Sequence, residues 1–267
     1  MPKKIALVLG ILLLFSYPVM ASAEMRPIKK IRAGIPPFEV IGKVLRGNQQ
    51  AAAGIKRQNK QPTPYLTWLA DPDARIQTRQ IMADATDKVY AVRNLGNQLE
   101  LSIGAVDYGV RQLHTPVLLI TGNTDSTAIR LFMEGYSQLE PAIRRDLDHL
   151  HLALAPSKTA ASKQPVPLAD QGLRQVEQNV DYQVDRALAR YEDRVRNGRL
   201  VVVGSVLDLT NQYGHGLNRL IIINVNGERD DQKLKQMSLM VRLDRQLLEL
   251  VGRGRSQKAQ ESKPRSR

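Results

Sequence analysis

The 267-residue chain contains no cysteine. Disulfides are therefore excluded, and so is every metal site built on thiolates. In an oxidising compartment the same absence avoids stray thiol oxidation. Aromatic residues are scarce, at 4%, so the core has to be assembled mostly from Leu, Ile, Val and Ala. There are only four histidines. His149 and His151 stand two apart in a helical stretch and do not share a face. His114 precedes an apolar run, and His215 lies in a Gly-rich loop. Solvent exposure is expected for all four, and no histidine zinc site follows. A serine hydrolase framework is also missing, because Ser126 lacks the Gly-x-Ser-x-Gly elbow.

Acidic side chains are outnumbered, 26 against 39 basic ones, for a net charge of +13. That balance alone would suit a nucleic-acid binder. No basic, aromatic-studded motif accompanies it, and the N-terminus argues for export, so no nucleic-acid partner is expected. A basic surface near anionic lipid or polysaccharide is the preferred reading. Part of the charge is local. "GRGRSQKAQESKPRSR" starts at Gly252, and residues 251–267 read as a disordered basic tail that could meet an anionic surface.

The one long apolar run is at the start. "MPKK" is followed by "IALVLGILLLFSYPVM" and then by the small residues "ASA". This is the pattern of a secretory signal peptide, residues 1–23, cleaved after Ala23. The run is short for a membrane span. The mature chain is expected to begin at Glu24 and to be exported, to the periplasm of a Gram-negative host or to the medium.

Residues 24–37 form a basic, Pro-containing lead-in. Phe38, Ile41, Val44 and Leu45 then share one helical face, and Gly54 is a plausible stop. Five short apolar runs follow: "YLTWLA" (65–70), "KVYAVRN" (88–94), "PVLLITG" (116–122), "RLVVVGSVLDL" (199–209) and "RLIIINVNGE" (219–228). The middle runs are continuous, as strands covered on both faces should be. Helical patterns lie at 98–113, 125–153 and 171–197, the last with Val176, Val180, Val184, Leu188 and Tyr191 at helical spacing. The alternation predicts an α/β fold over 38–250, with a mainly parallel central sheet of about five strands flanked by helices. Residues 156–172 read as a surface linker.

Ligands of such sheets bind outside the carboxyl ends of the strands. The three ends that matter are "ADPDAR", "RNLGN" and "TGNTDST". The last is ordinary turn chemistry, and Ser126 or Asp125 could simply cap the next helix. Gly122 reads as the residue that lets the backbone bend.

Taken in order, these ends resemble the β-class carbonic anhydrases. Asp71-Pro72-Asp73-Ala74-Arg75 is similar to that family's Cys-x-Asp-x-Arg. Arg93-Asn94-Leu95-Gly96-Asn97 matches its Arg-Asn-x-Gly-Asn, and Gly122-Asn123-Thr124-Asp125-Ser126-Thr127 keeps the frame of its Gly-His-x-x-Cys-Gly. "LRGNQQ", "SIGAVDYGVRQL" and "NVDYQVDRAL" with "GRLVVVGSVLDL" resemble further family segments, so the similarity runs over about 38–228. The resemblance implies the family's α/β fold, a dimer-based assembly, and zinc held by two cysteines and a histidine. At those positions this chain has Asp71, Asn123 and Ser126, so all three ligands are replaced and no zinc is expected. The family's Asp–Arg pair, which orients a ligand position and can gate the metal, is retained as Asp73 and Arg75.

The expectation is a carbonic-anhydrase-like pseudoenzyme, exported and homodimeric, acting as a binding or structural protein. It would hold a small anion such as bicarbonate weakly, through Arg75, Asn94, Gly96 and the N–H groups of Thr124, Asp125 and Ser126 at a helix N-terminus. The alternative is a carbonate dehydratase or another lyase or hydrolase activity, with a different metal or none. Asp71, Asp73 or Asp125, Asn123 and Ser126 offer oxygen donors of the kind that suit Mg²⁺ or Ca²⁺.

Overall fold

All five apolar runs become strands. The computed structural model describes residues 37–53, 63–154 and 168–254. The expected signal peptide, nearly all of the lead-in, most of the 156–172 linker and the chain beyond residue 254 lie outside the described residues. Two compact units are present, residues 1–58 and 59–267.

The described part of the first unit is one helix, α1 (Pro37–Ala53). Pro37 at its first position gives up an N–H that would have no helical partner anyway. Glu39 in the first turn lies at the positive end of the helix dipole. Val40, Ile41, Val44 and Leu45 recur at helical spacing and are exposed. The sequence reading began the α/β domain at 38, whereas the α/β unit begins at Asn59.

That second unit is built on β1 (Leu66–Ala70), β2 (Val89–Arg93), β3 (Val117–Asn123), β4 (Val201–Asp208) and β5 (Arg219–Val225). Their order is β2-β1-β3-β4-β5. The first four are mutually parallel, and β5 joins antiparallel. The helices are α2 (Thr78–Ile81), α3 (Ile103–Asp107), α4 (Thr127–Glu134), α5 (Pro141–Asp148), α6 (Leu150–Leu154), α7 (Leu168–Arg190), α8 (Glu192–Arg196), α9 (Asp231–Gln236) and α10 (Arg245–Leu248).

The register positions the site. Ala70 is level with Arg93 on one side and Thr121 on the other. Chain leaving β1, β2 and β3 therefore emerges side by side at one end of the sheet. β1 and β3 are almost wholly buried, which is why their sequences are continuously apolar. On one face α7 lays Val176, Val180 and Val184 across β3 and β4, and all three are buried. Gly122 makes this possible. A Cβ there would lie 2.7 Å from Val176 Cγ1 and 3.0 Å from Val180 Cγ2. The expectation that Gly122 serves a bend is corrected: it sits within β3, and its missing side chain admits the helix. Trp68 is fully buried in the sheet, where its indole N–H donates to Thr121 Oγ1 at 2.9 Å.

Three further expectations change. The helix read over 98–113 is a 3₁₀ turn at Glu100–Ser102, then α3, then a π-helical turn at Tyr108–Gln112. The helix over 125–153 is three helices, because Gly135 takes φ 103 after α4 and Pro141 opens α5. The helix over 171–197 pauses at Tyr191 between α7 and α8. Residues 251–254, read as the start of the basic tail, are held by the fold. Val251 is buried, Gly252 N–H donates to Ile222 O at 2.8 Å, and Arg253 Nη2 donates to Asp181 Oδ2 at 2.6 Å. A hydrogen-bonded β edge and available carboxylates hold residues 251–254 in place.

Candidate functional site

Asp71 is the first residue after β1 and is 3% exposed. A carboxylate taken this far from water must be met by donors, and two other segments supply three of them. Gly96 N–H, from the loop after β2, donates to Oδ1 at 2.6 Å. Asn123 Nδ2, at the end of β3, donates to Oδ2 at 3.0 Å. Ser126 Oγ, from the turn before α4, donates to the same oxygen at 2.6 Å. Asp71, Asn123 and Ser126 thus meet, the last two both bonded to Asp71. Burial pushes the Asp71 carboxyl up to about 6, against the opposing effect of the bonds from Ser126 and Gly96.

Each partner is also held from behind. Asn123 Oδ1 accepts the Asp125 N–H at 3.1 Å. Ser126 Oγ accepts the Ile129 N–H at 3.3 Å and is the N-cap of α4. Gly96 adopts φ 73, a conformation that favours glycine. Its carbonyl accepts from Asn179 Nδ2 at 2.7 Å, and Gln183, one turn along α7, accepts the Leu99 N–H at 2.9 Å. Asn179 and Gln183 were missed by the sequence reading. The available signal was two amides, i and i+4, on the valine face of a helix.

Asp73 and Arg75 pair as the sequence predicted. Arg75 Nη2 lies 2.6 Å from Asp73 Oδ2 and Nε lies 3.0 Å from Oδ1. The guanidinium also reaches Asp125, with Nη1 2.6 Å from Oδ2. It therefore bridges the segment after β1 to the turn after β3. The Arg75 side chain beside Asp73 holds that carboxyl below the usual range. Arg130 Nη1 stands 3.7 Å from Asp125 Oδ1 on the outer side.

Several of the groups expected to meet an anion donate to internal acceptors. Asn94 Nδ2 donates to Gln98 O and Ser102 Oγ, at 2.7 and 2.8 Å. Gly96 N–H goes to Asp71. Thr124 N–H donates to Leu207 O and its hydroxyl to Asp208 Oδ1, both at 3.2 Å. The Asp125 N–H and the Ser126 hydroxyl are engaged as described. The surroundings are also acidic, with Asp71, Asp73 and Asp125 against Arg75 and Arg130. Among the described residues no group of three or more His, Asp or Glu is arranged to hold a metal. His114, His149 and His151 are exposed and His215 is half-buried.

The family model described as carbonic anhydrase matches residues 66–214, more than half of the chain, from β1 to the loop before β5. The chain belongs to the carbonic anhydrase family. Among solved structures it is similar to tetrameric β-carbonic anhydrases from Sordaria macrospora, with TM-score 0.60 at 14% identity over 70% of this chain and 98% of that one. It is also similar to the Coccomyxa β-carbonic anhydrase in complex with acetazolamide, with TM-score 0.55 at 18% identity over 76% and 92%. At these identities the likeness is one of fold: the five-stranded, mostly parallel sheet flanked by helices is that of the β-carbonic anhydrases. A comparison with curated protein sequences finds no match.

Proposed function

We propose that this carbonic anhydrase family member is a non-catalytic protein that works without zinc, exported and homodimeric, in a binding or structural role. The observation that carries the reading is the bonded cluster of Asp71, Asn123 and Ser126. Zinc sites are built from thiolate, imidazole and carboxylate, with three protein ligands in catalytic sites. Here one carboxylate faces an amide N–H and a hydroxyl O–H, both directed at it. That donor set does not fit zinc. The family's chemistry relies on the metal to bring the pKa of bound water from about 15.7 to about 7. No described side chain in the cluster replaces that effect, since the Ser126 hydroxyl lies between Asp71 and the Ile129 N–H.

Export rests on the tripartite N-terminus, and self-association on the family resemblance and on the tetrameric state named for the Sordaria relatives. A weak anion site at the turn would rest on Arg75 and the Ser126 N–H, since Asn94, the Gly96 N–H and the Thr124 and Asp125 N–H groups serve internal acceptors. The test is to purify the protein from its host without chelators, sequence its N-terminus, measure metal content and follow CO₂ hydration by stopped flow. A chain beginning at Glu24, free of zinc and inactive, is expected. Near-stoichiometric zinc, with hydration activity lost on Asp71→Ala, would overturn the reading. The alternative of catalysis with another metal, or with none, would appear as activity in the same assay.

A further inference from the structure

Beside the Asp71 cluster, between α4 and α7, lies a cavity of about 310 Å³, the lower end of the range for small-molecule sites. It shares Thr124, Asp125 and Ser126 with the turn after β3. One wall is apolar. Ile129 and Met133 are one turn apart on α4, and Val176 faces them from α7. The other end is polar and uncharged, formed by Ser126, Thr210 and Gln212. It is held by its own hydrogen bonds. Thr210 Oγ1 donates to Thr124 Oγ1 at 2.8 Å, and Gln212 Nε2 donates to Thr124 O at 3.2 Å and Thr210 Oγ1 at 3.1 Å. Charged lining residues are Asp125, Arg130 and Glu134. Asp125 pairs with both Arg75 and Arg130, and Arg75 also with Asp73, so Asp73, Asp125 and Glu134 face two guanidinium groups and one carboxylate is in excess.

A second observation comes from α7 itself. Gly172 lines the cavity one turn before Val176. Glycine inside a helix costs roughly 0.5–1 kcal/mol relative to alanine. Among the described residues packing does not demand it, since a Cβ at Gly172 would meet none of their atoms within 4 Å. The space left by the missing side chain opens onto the cavity.

We propose that this cavity between α4 and α7 is a binding site for a small molecule with an apolar body and a neutral or cationic, hydrogen-bonding head. The body lies against Ile129, Met133 and Val176. The head meets the Thr210 and Gln212 end, and the surplus carboxylate at the lining disfavours an anionic head.

The test uses three probes with one shared body: p-cresol (neutral), 4-methylbenzylamine (cationic) and p-toluate (anionic), titrated calorimetrically into the purified full chain. The first two should bind, and p-toluate should bind at least tenfold more weakly. Gly172→Leu should fill the rim and weaken p-cresol at least tenfold. Gly172→Ala, which restores helix propensity without filling the space, should leave binding within about twofold. The proposal falls if none of the three probes binds, if p-toluate binds as well as the others, or if a folded Gly172→Leu chain keeps its affinity. The charge series is decisive on the unaltered protein, so it stands even if Gly172→Leu does not fold.

Discussion

Asp71 and Asp73 leave the same strand two residues apart, and the fold treats them in opposite ways. Asp71 is buried and met only by neutral donors, so loss of hydration dominates and its carboxyl is pushed up to about 6. Asp73 lies beside a guanidinium at the surface and is held below its usual range. Both accept several hydrogen bonds. The difference is that Asp71 joins three separate segments through directional bonds away from water, while the Asp73–Arg75 pair sits where solvent and salt compete. The buried, uncharged partnership is therefore the one that ties the strand ends together.

The strongest way to break the comparison is Asp71→Ala. It would leave the Gly96 N–H, the Asn123 amide and the Ser126 hydroxyl without their common acceptor. A loss of roughly 3–5 kcal/mol is expected, since each buried unsatisfied group costs about 1–3 kcal/mol. Urea denaturation of wild type and variant measures it, and a loss below about 1 kcal/mol would mean that the cluster does not hold the ends.

A second effect follows from the raised Asp71 carboxyl. The folded value of about 6 lies above the ordinary value of 3.8. The contribution to stability is thus fully present below 3.8 and is lost as pH rises through about 6. By linkage it amounts to on the order of 3 kcal/mol. Asp73 and Asp107 act in the other direction, because their folded values are lowered: their contribution is present above the ordinary value and lost in acid. The difference between wild type and Asp71→Asn isolates the first effect. Urea midpoints taken from pH 4 to 7 should show wild type losing stability relative to Asp71→Asn, and parallel profiles would remove the buried-ionisation argument.

The smallest effect is expected at the surface pair. The Arg75 side chain is 49% exposed, so Arg75→Ala should cost about 1 kcal/mol or less, and less again in 0.5 M salt. Thermal melts at two ionic strengths test this. A salt-independent loss larger than that of Asp71→Ala would invert the comparison.

Much of the fold was legible in the chain because periodicity and burial are coupled locally. "VLLITGN" is continuously apolar because β3 is covered on both faces, and the valines of α7 repeat every turn because that face meets the sheet. The ion pair of Asp73 and Arg75 was legible because a two-residue spacing leaves few geometries. Helix ends were read less well. Gly135 and Pro141 were in plain view, but apolar spacing ran through them and suggested continuity.

The sequence by itself determined the α/β class, the strands and the three strand ends that carry Asp71, Asn123 and Ser126, since each depends on residue type and short-range spacing. Only the tertiary structure decided what those three side chains do. Asp71, Gly96, Asn123 and Ser126 come from three segments up to 55 residues apart, and their meeting depends on the parallel register of β1, β2 and β3. The same holds for Gly122, whose role is set by valines on a helix far along the chain, and for Asn179, whose amide reaches Gly96 across 83 residues. A hydrogen bond is satisfied by a direction in space. Composition and spacing can name the donors and acceptors, but the packed sheet chooses which of them face each other.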